Sequence, residues 1–130
     1  MTGQKIVDMQ KEIQIKIAKK LLDIIVLQLL NNQPMHGYEI ITKLRKTFSV
    51  YFGPSTVYPL LATLENKNYI ASHWDTENDR PRKIYVLTSD GHEILGYAEN
   101  TLNQICQKIN PLTDINNIVP DFTDKVNIEE

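Results

Sequence analysis

Hydroxyl groups are concentrated between residues 55 and 63 of the sequence. Apolar residues recur there at helical spacing, so the hydroxyl-bearing residues fall together on the solvent-facing side of a helix. Hydroxyls near the start of a helix suit phosphate oxygens and base edges. The helix carries no Arg or Lys before Lys67, so base contacts would come from hydroxyls or from apolar contact with a thymine methyl group. The residues on this side are Ser55, Thr56, Tyr58, Pro59 and Thr63. The alternative is that Ser55 and Thr56 only cap the helix.

Positive charge is concentrated in a second stretch, where Arg80, Arg82 and Lys83 follow one another closely around the stiff Pro81. A proline flanked by arginines at the tip of a hairpin fits along a phosphate backbone or into a minor groove. Because acidic residues precede this cluster, an ordinary solvated turn is the alternative. Lys43 also lies where it would reach backbone phosphates, or remain a plain solvated lysine.

Other chemistry finds little support in the sequence. His36, His73 and His92 lie far apart, without the short spacings of metal ligands. The glycines are isolated, so no phosphate-binding loop is present, and no nucleophile is paired with a base. We therefore expect no enzyme, no metal and no cofactor. Trp74 is expected to pack in the core, with a ligand pocket as the alternative.

These residues must be positioned by helices and by a hairpin. The pattern predicts a first helix from about Lys11 to Leu30, a second after Gly37, and a third capped by Ser55 or Thr56. Residues 69–74 and 83–88 are rich in aromatic and β-branched side chains, which predicts two strands of an antiparallel hairpin. Thr88, Ser89 or Asp90 then caps a fourth helix, which Pro111 is expected to stop.

The fourth helix carries the most regular apolar pattern of the chain. Its spacing of 3, 4, 3 and 4 residues is typical of a coiled-coil seam, which favours self-association over packing on the chain's own domain. The seam consists of Leu95, Ala98, Leu102, Ile105 and Ile109. Cys106 lies beside it, as a plain helix residue or as half of a disulfide between two copies.

Length and composition limit the number of domains, the class of partner and the compartment of the protein. The 130 residues are enough for one compact domain, and the net charge of −2 is not that of a strongly basic nucleic-acid binder. Residues 1–90 have a balance of +3 and residues 91–130 a balance of −5, so a polyanion would dock on the first part. A single cysteine indicates a reducing compartment. The apolar run at 21–30 follows lysines as a secretory signal would, but it is interrupted by Asp23 and Gln28 and lacks a cleavage site. We expect a cytoplasmic protein without a membrane segment.

Several segments, in order and spacing, resemble the PadR family of transcriptional regulators. The resemblance covers roughly residues 20–95 and includes LLDIIVL at 21–27, MHGYEI at 35–40, PSTVYPLL at 54–61 and RPRKIYVLT at 80–88. It implies a dimeric repressor whose winged helices occupy successive major grooves of a palindromic operator. It also implies that Ser55, Thr56 and Tyr58 lie at the DNA, that Tyr38 and His36 lie near its backbone, and that the fourth helix dimerises.

Three positions depart from the family pattern. Ser55 stands where a glycine is common, Thr63 where an arginine often faces the DNA, and Asn68 where a glycine usually precedes the wing. The Thr63 change concerns the strength or sequence preference of binding and leaves the fold unaffected.

The sequence therefore predicts a mainly α protein with a small β-hairpin. A winged helix-turn-helix domain with an N-terminal helix spans 1–88, a C-terminal dimerisation helix spans 89–110, and an acidic tail spans 111–130. The expected function is sequence-specific binding of double-stranded DNA as a homodimeric repressor with an inverted-repeat operator. The alternatives are a winged-helix protein–protein interaction module and a regulator that senses a small-molecule effector at the dimer groove.

Overall fold

The computed structural model describes residues 2–77 and 79–113, so the expected acidic tail lies from residue 114 onward outside the described residues. The chain divides into two compact units after Leu95. The elements, in chain order, are α1 Thr2–Lys20, α2 Leu22–Asn32, β1 Met35–His36, α3 Gly37–Phe48, α4 Pro54–Asn66, β2 Ile70–Asp75, β3 Arg82–Leu87 and α5 Ser89–Thr113. No helix among these residues is long and apolar enough to cross a membrane.

The expected first helix is wrong in its start and in its continuity. Helical structure begins at Thr2, where the side chain of Gln4 donates a hydrogen bond of 3.0 Å to Asp8 one turn later. It breaks at Leu21, whose backbone (φ −103°, ψ 16°) leaves the helical region and separates α1 from α2. The apolar pattern marked the core-facing α2 and missed the start of α1, where Ile6, Met9 and Ile13 are half-exposed.

The antiparallel hairpin is confirmed, with β2 pairing β3 from Ile70 opposite Leu87 to Asp75 opposite Arg82. A third strand, β1, was not predicted. It pairs antiparallel with the other edge of β3, so that the sheet order is β1-β3-β2. Two residues are too short to show a strand periodicity, and the partner that makes them a strand lies far away in sequence.

The expected cap of α4 is also wrong. Gly53 is the N-cap and no side chain bonds there; its carbonyl oxygen accepts hydrogen bonds of 3.0 Å from the backbone N–H groups of Thr56 and Val57. Pro54 takes the first helical position, where its missing N–H needs no partner. Ser55 and Thr56 therefore lie within the first turn.

One apolar core joins the helices to the sheet. Ile40, Leu44, Leu61 and Ile70 are almost fully buried, and Val57 extends the apolar stripe of α4 into the same cluster. Burial of a large aliphatic side chain stabilises the fold by roughly 1.5–3 kcal/mol, so this cluster fixes the packing of α3, α4 and the hairpin.

A small cluster at the base of the hairpin, here called the wing root, consists of Asn68, Thr88, Asp90 and Gly91. The hydroxyl of Thr88 accepts a hydrogen bond of 3.0 Å from the Gly91 N–H, which makes Thr88 the cap of α5, and donates one of 2.6 Å to the Asn68 carbonyl oxygen. Asn68 has φ 66°, the left-handed region that glycine and asparagine tolerate best, and its amide donates a hydrogen bond to Asp90. Asn68 thus supplies the turn at the position where the resemblance leads us to expect a glycine.

Position 91 of the wing root requires a glycine because there is no space for a side chain. A Cβ built there would overlap the backbone carbonyl of Tyr69, and the Thr88 N–H donates to that same carbonyl over 3.1 Å. The start of α5 and the start of the hairpin are therefore in backbone contact. At its other end α5 continues past Pro111 to Thr113, contrary to expectation, because the restriction that a proline places on the preceding residue is a bias and helix ends vary by a residue or two.

Candidate nucleic-acid interface

The solvent-facing side of α4 is as the sequence predicted. Val57, Leu61 and Leu64 point into the core, whereas all five hydroxyl-face residues are exposed. The hydroxyl of Thr63 donates a hydrogen bond of 3.1 Å to the Pro59 carbonyl one turn earlier, so its hydrogen is occupied within the helix. The five exposed residues are Ser55, Thr56, Tyr58, Pro59 and Thr63.

Tyr58 packs over the first residue of α3. A Cβ built on Gly37 would overlap the outer part of the Tyr58 ring, so the absence of a side chain at Gly37 leaves the space that the ring occupies. Gly37 is buried, while Tyr58 keeps 43% of its side chain exposed. The contact brings the tyrosine of α4 against the start of α3.

His36 connects α3 to the hairpin. Its Nε2 lies 2.9 Å from a guanidinium nitrogen of Arg82, and its Nδ1 lies 3.4 Å from the Glu39 backbone N–H, which it caps. A guanidinium only donates, and a neutral imidazole has one acceptor nitrogen, so His36 cannot accept both hydrogen bonds at once. The shorter distance favours the hydrogen bond that Arg82 donates to His36. The Glu39 carboxylate still accepts a hydrogen bond of 3.0 Å from the His36 backbone N–H.

A cavity of about 460 Å³ opens between the start of α3, the exposed side of α4 and the hairpin. Aromatic and basic side chains line it, and we call it the aromatic–basic cavity. Its principal lining residues are Tyr38, Tyr58, Trp74, Arg82, Lys83 and Tyr85. Lys83 and Tyr85 are also close to each other, with the Lys83 ammonium 6.0 Å from the centre of the ring.

A second cavity of about 410 Å³ lies on the α3 side of His36. Lys43 and Lys46 line it, and it shares His36, Tyr38 and Arg82 with the aromatic–basic cavity. Three cations on one surface match a phosphate backbone, and Glu39 is the acidic residue among them.

The structure corrects the expectation for Trp74. The side chain is 63% exposed and contributes to the aromatic–basic cavity, whereas it was expected in the core. Its ring belongs to a strand position that faces solvent, opposite Lys83 across the hairpin. A tryptophan in an alternating strand gives no signal of which face it takes unless the register is known.

The remaining candidate residues lie apart from the two cavities. Arg80 is exposed in the turn between β2 and β3, and Lys67 is exposed at the C-cap of α4. Neither lines the aromatic–basic cavity or the second cavity, and the same holds for Ser55, Thr56, Pro59 and Thr63.

Tyr85 forms the floor of the site and is 6% exposed. Burial, followed by the negative charge of Glu65 and by Tyr58, raises the pKa of the Tyr85 phenol above its ordinary value. Tyr85 therefore stays neutral at neutral pH. Glu65 itself accepts a hydrogen bond of 2.6 Å from the Ser72 hydroxyl, which fixes α4 to β2 beneath the site.

The apolar seam of α5 changes character along its length. Leu95 is 3% exposed and belongs to the chain's own core. Ala98 and Leu102 are half-buried, whereas Ile105 and Ile109 are 48% and 45% exposed. Cys106, next to this exposed part, is a free and exposed thiol.

The geometry described above agrees with comparisons to known proteins. A model of the transcriptional regulator PadR-like family matches residues 26–96, which is more than half of the chain. The chain belongs to the PadR-like family. None of the curated proteins compared with it matches.

Solved structures carry the same fold as this PadR-like chain. A PadR family transcriptional regulator from Eggerthella lenta is 26% identical with a TM-score of 0.71, over 85% of this chain and 96% of that one. A PadR-like transcription factor from Bacteroides fragilis is 27% identical with a TM-score of 0.68, over 78% and 98%. A PadR family regulator from Clostridium difficile is 27% identical with a TM-score of 0.63, over 72% and 98%.

Family membership decides the class of function. The PadR-like chain is a DNA-binding transcriptional regulator of winged-helix fold with a C-terminal helix, and it is not an enzyme.

Proposed function

We propose that the protein is a cytoplasmic homodimeric repressor that binds an inverted-repeat operator through α4 and the hairpin. The proposed DNA face, which consists of the exposed side of α4 and the hairpin, is supported by one observation. Arg82, Tyr58 and Tyr38 line one cavity beside the exposed side of α4. Cations there neutralise backbone phosphates, while hydroxyls of α4 enter the major groove.

In this arrangement the two sets of residues have different roles. Ser55, Thr56, Pro59 and Thr63 face base edges, and Tyr58 stands between them and the backbone. The basic and polar set holds the phosphates on either side, and it consists of His36, Tyr38, Lys43, Lys67, Arg80, Arg82 and Lys83.

The dimer is proposed to form through the α5 seam beyond Leu95, which consists of half-buried Ala98 and Leu102 and exposed Ile105 and Ile109, with Leu95 anchoring the helix in its own domain. Two-fold symmetry places two copies of α4 about 34 Å apart, so the half-sites are expected to be spaced by roughly one turn of DNA.

Ile105→Glu is expected to give monomers in sedimentation velocity, because it places a charge in the apolar seam. Gln107→Glu, which adds the same charge on the opposite side of α5, should leave the dimer intact. A dimer that survives Ile105→Glu would place the interface elsewhere.

The decisive experiment is fluorescence anisotropy with a labelled duplex from the region upstream of the gene that encodes this protein, with a shuffled duplex as control. A preference of about a thousandfold or more for the upstream duplex is expected of a specific regulator. Equal and steeply salt-dependent binding to both duplexes would indicate binding without specificity. No binding at low salt would overturn the DNA-binding proposal in favour of a protein–protein interaction module.

A further inference from the structure

Exposed aromatic rings are concentrated at the aromatic–basic cavity. Among the described residues, the large and exposed aromatic side chains are Tyr38, Tyr51, Tyr58, Trp74 and Tyr97, and three of these five line this cavity. Exposed apolar groups scattered singly need no explanation, but a cluster marks a binding site. The cluster therefore indicates a partner with a flat apolar face.

The charge of the cavity specifies the rest of the partner. Arg82 and Lys83 supply two cations, and none of the described residues that line the cavity is acidic. Arg82 is already oriented by its 2.9 Å contact with His36 Nε2. A guanidinium held in this way presents its remaining donors in the planar geometry that suits a phosphate group.

The second cavity lacks this combination. Lys43 and Lys46 give it positive charge, but Tyr38 is the only tyrosine or tryptophan among the described residues that line it, and Glu39 lies among its cations. It suits a phosphate backbone that runs across the surface. The aromatic–basic cavity instead offers stacking and charge together, within a volume in the range of small-molecule sites.

We propose that the aromatic–basic cavity binds a free nucleotide, with the base against Trp74 and Tyr38 and the phosphate at Arg82 and Lys83. Aromatic side chains stack on the face of any base, and the two cations favour binding of the phosphorylated form over the nucleoside. Because Tyr58 and Arg82 also belong to the proposed DNA face, a bound nucleotide displaces operator DNA. Only this displacement rests on the proposed function; nucleotide binding does not.

The first test is a titration of the full-length protein without DNA. Trp74 is the only tryptophan of the chain, and at the red edge of its absorption nucleotides do not absorb, so its emission reports stacking directly. Adenosine 5′-monophosphate is expected to quench the emission saturably and to bind at least tenfold more tightly than adenosine, while ribose 5-phosphate leaves the emission unchanged. Equal affinity for adenosine and its monophosphate, or no saturable quenching, would overturn the proposal.

Variants followed by calorimetry separate the two halves of the site. Trp74→Ala is expected to weaken the binding of adenosine 5′-monophosphate at least about fivefold, with Trp74→Phe restoring most of it. Lys83→Gln should weaken the binding of the monophosphate and leave that of adenosine unchanged. Tyr97→Ala removes an equally exposed ring on α5 and is the matched control. Loss of binding in Tyr97→Ala with full binding in Trp74→Ala would refute the assignment of the cavity.

A competition experiment then tests the link to DNA. Adenosine 5′-monophosphate should release a labelled duplex from the wild-type protein at concentrations that match its affinity for the free protein, and Trp74→Ala should need at least about fivefold more. If the protein binds no duplex, the proposed function fails while the titration above still decides nucleotide binding. If it binds duplex and nucleotide independently, the displacement is refuted.

Discussion

The wing root and the aromatic–basic cavity lie at opposite ends of the hairpin and are built in opposite ways. At the wing root each polar group described is paired within the chain, as in the hydrogen bonds that join Thr88 to Asn68 and to Gly91. At the cavity the lining side chains other than that of buried Tyr85 are exposed or half-buried, and His36 has more potential donors than it can accept from. The polar groups of the wing root thus stabilise the fold, whereas those of the cavity are available to a partner. Both ends of the hairpin nevertheless contain residues of the same family motifs.

This difference predicts that substitutions at the wing root change stability and substitutions at the cavity change binding. The largest effect is expected for Gly91→Ala. The new methyl group meets the Tyr69 carbonyl, which is backbone and cannot swing away, so we expect a loss of at least about 1–3 kcal/mol in the free energy of unfolding. Denaturant unfolding followed by circular dichroism measures it. Gly96→Ala, on the same helix with open space around it, is the control and should not destabilise the protein.

Arg82→Ala is expected to have the next largest effect, and at the other end of the hairpin. It should weaken the binding of all duplexes about tenfold and lower the slope of affinity against salt by about 0.9, because one phosphate contact is lost. The free energy of unfolding should change by less than about 0.5 kcal/mol, since the side chain is exposed. Arg45→Ala removes the same charge from α3 outside both cavities and is the matched control. An unchanged salt slope in Arg82→Ala would remove the hairpin from the DNA contact.

Thr88→Val tests whether the wing root is independent of the binding surface. It keeps the shape of the side chain but loses the cap of α5 and the hydrogen bond to Asn68, so we expect a loss of about 1 kcal/mol in the free energy of unfolding. Affinity for the operator, measured by anisotropy well below the melting temperature, should stay the same. A parallel fall in affinity would show that the two ends of the hairpin are coupled.

The smallest effect is expected for Gly37→Ala, and it sharpens the comparison between the two glycines. Here the obstacle to a methyl group is the outer part of the exposed Tyr58 ring, which can turn aside, so stability should fall less than in Gly91→Ala. Affinity for the operator should fall a few-fold, about as much as in Tyr58→Ala. In the double variant Gly37→Ala/Tyr58→Ala the two losses should not add, because both act through one ring. Additive losses would mean that Gly37 contributes in another way.

The parts of the fold that the sequence predicted are those whose signal is local. The stripe of α4, the hairpin and the choice of Thr88 as one of three candidate caps each depend on neighbouring residues. Strand β1 exists only because β3 lies beside it, and the break at Leu21 leaves no mark in an apolar run that continues through it. These features required the tertiary structure.

The candidate site was predicted as a set of residues and not as an arrangement. Resemblance placed His36 and Tyr38 near DNA, and charge singled out Arg82, but nothing in the sequence joins His36 to Arg82 across 46 positions. The space above Gly37 and the exposure of Trp74 were equally inaccessible, since both depend on how α3, α4 and the hairpin meet.

The exposure of Trp74 has a consequence for how this protein's stability can be followed. An indole that is already in contact with water in the native state changes its surroundings little when the chain unfolds. The tryptophan emission spectrum will therefore change little through a melting curve, and the wavelength of its maximum in the native state will resemble that of an unfolded protein. A well-folded sample examined by this common assay alone would be discarded as denatured, whereas the helical signal in the far ultraviolet would report its true state.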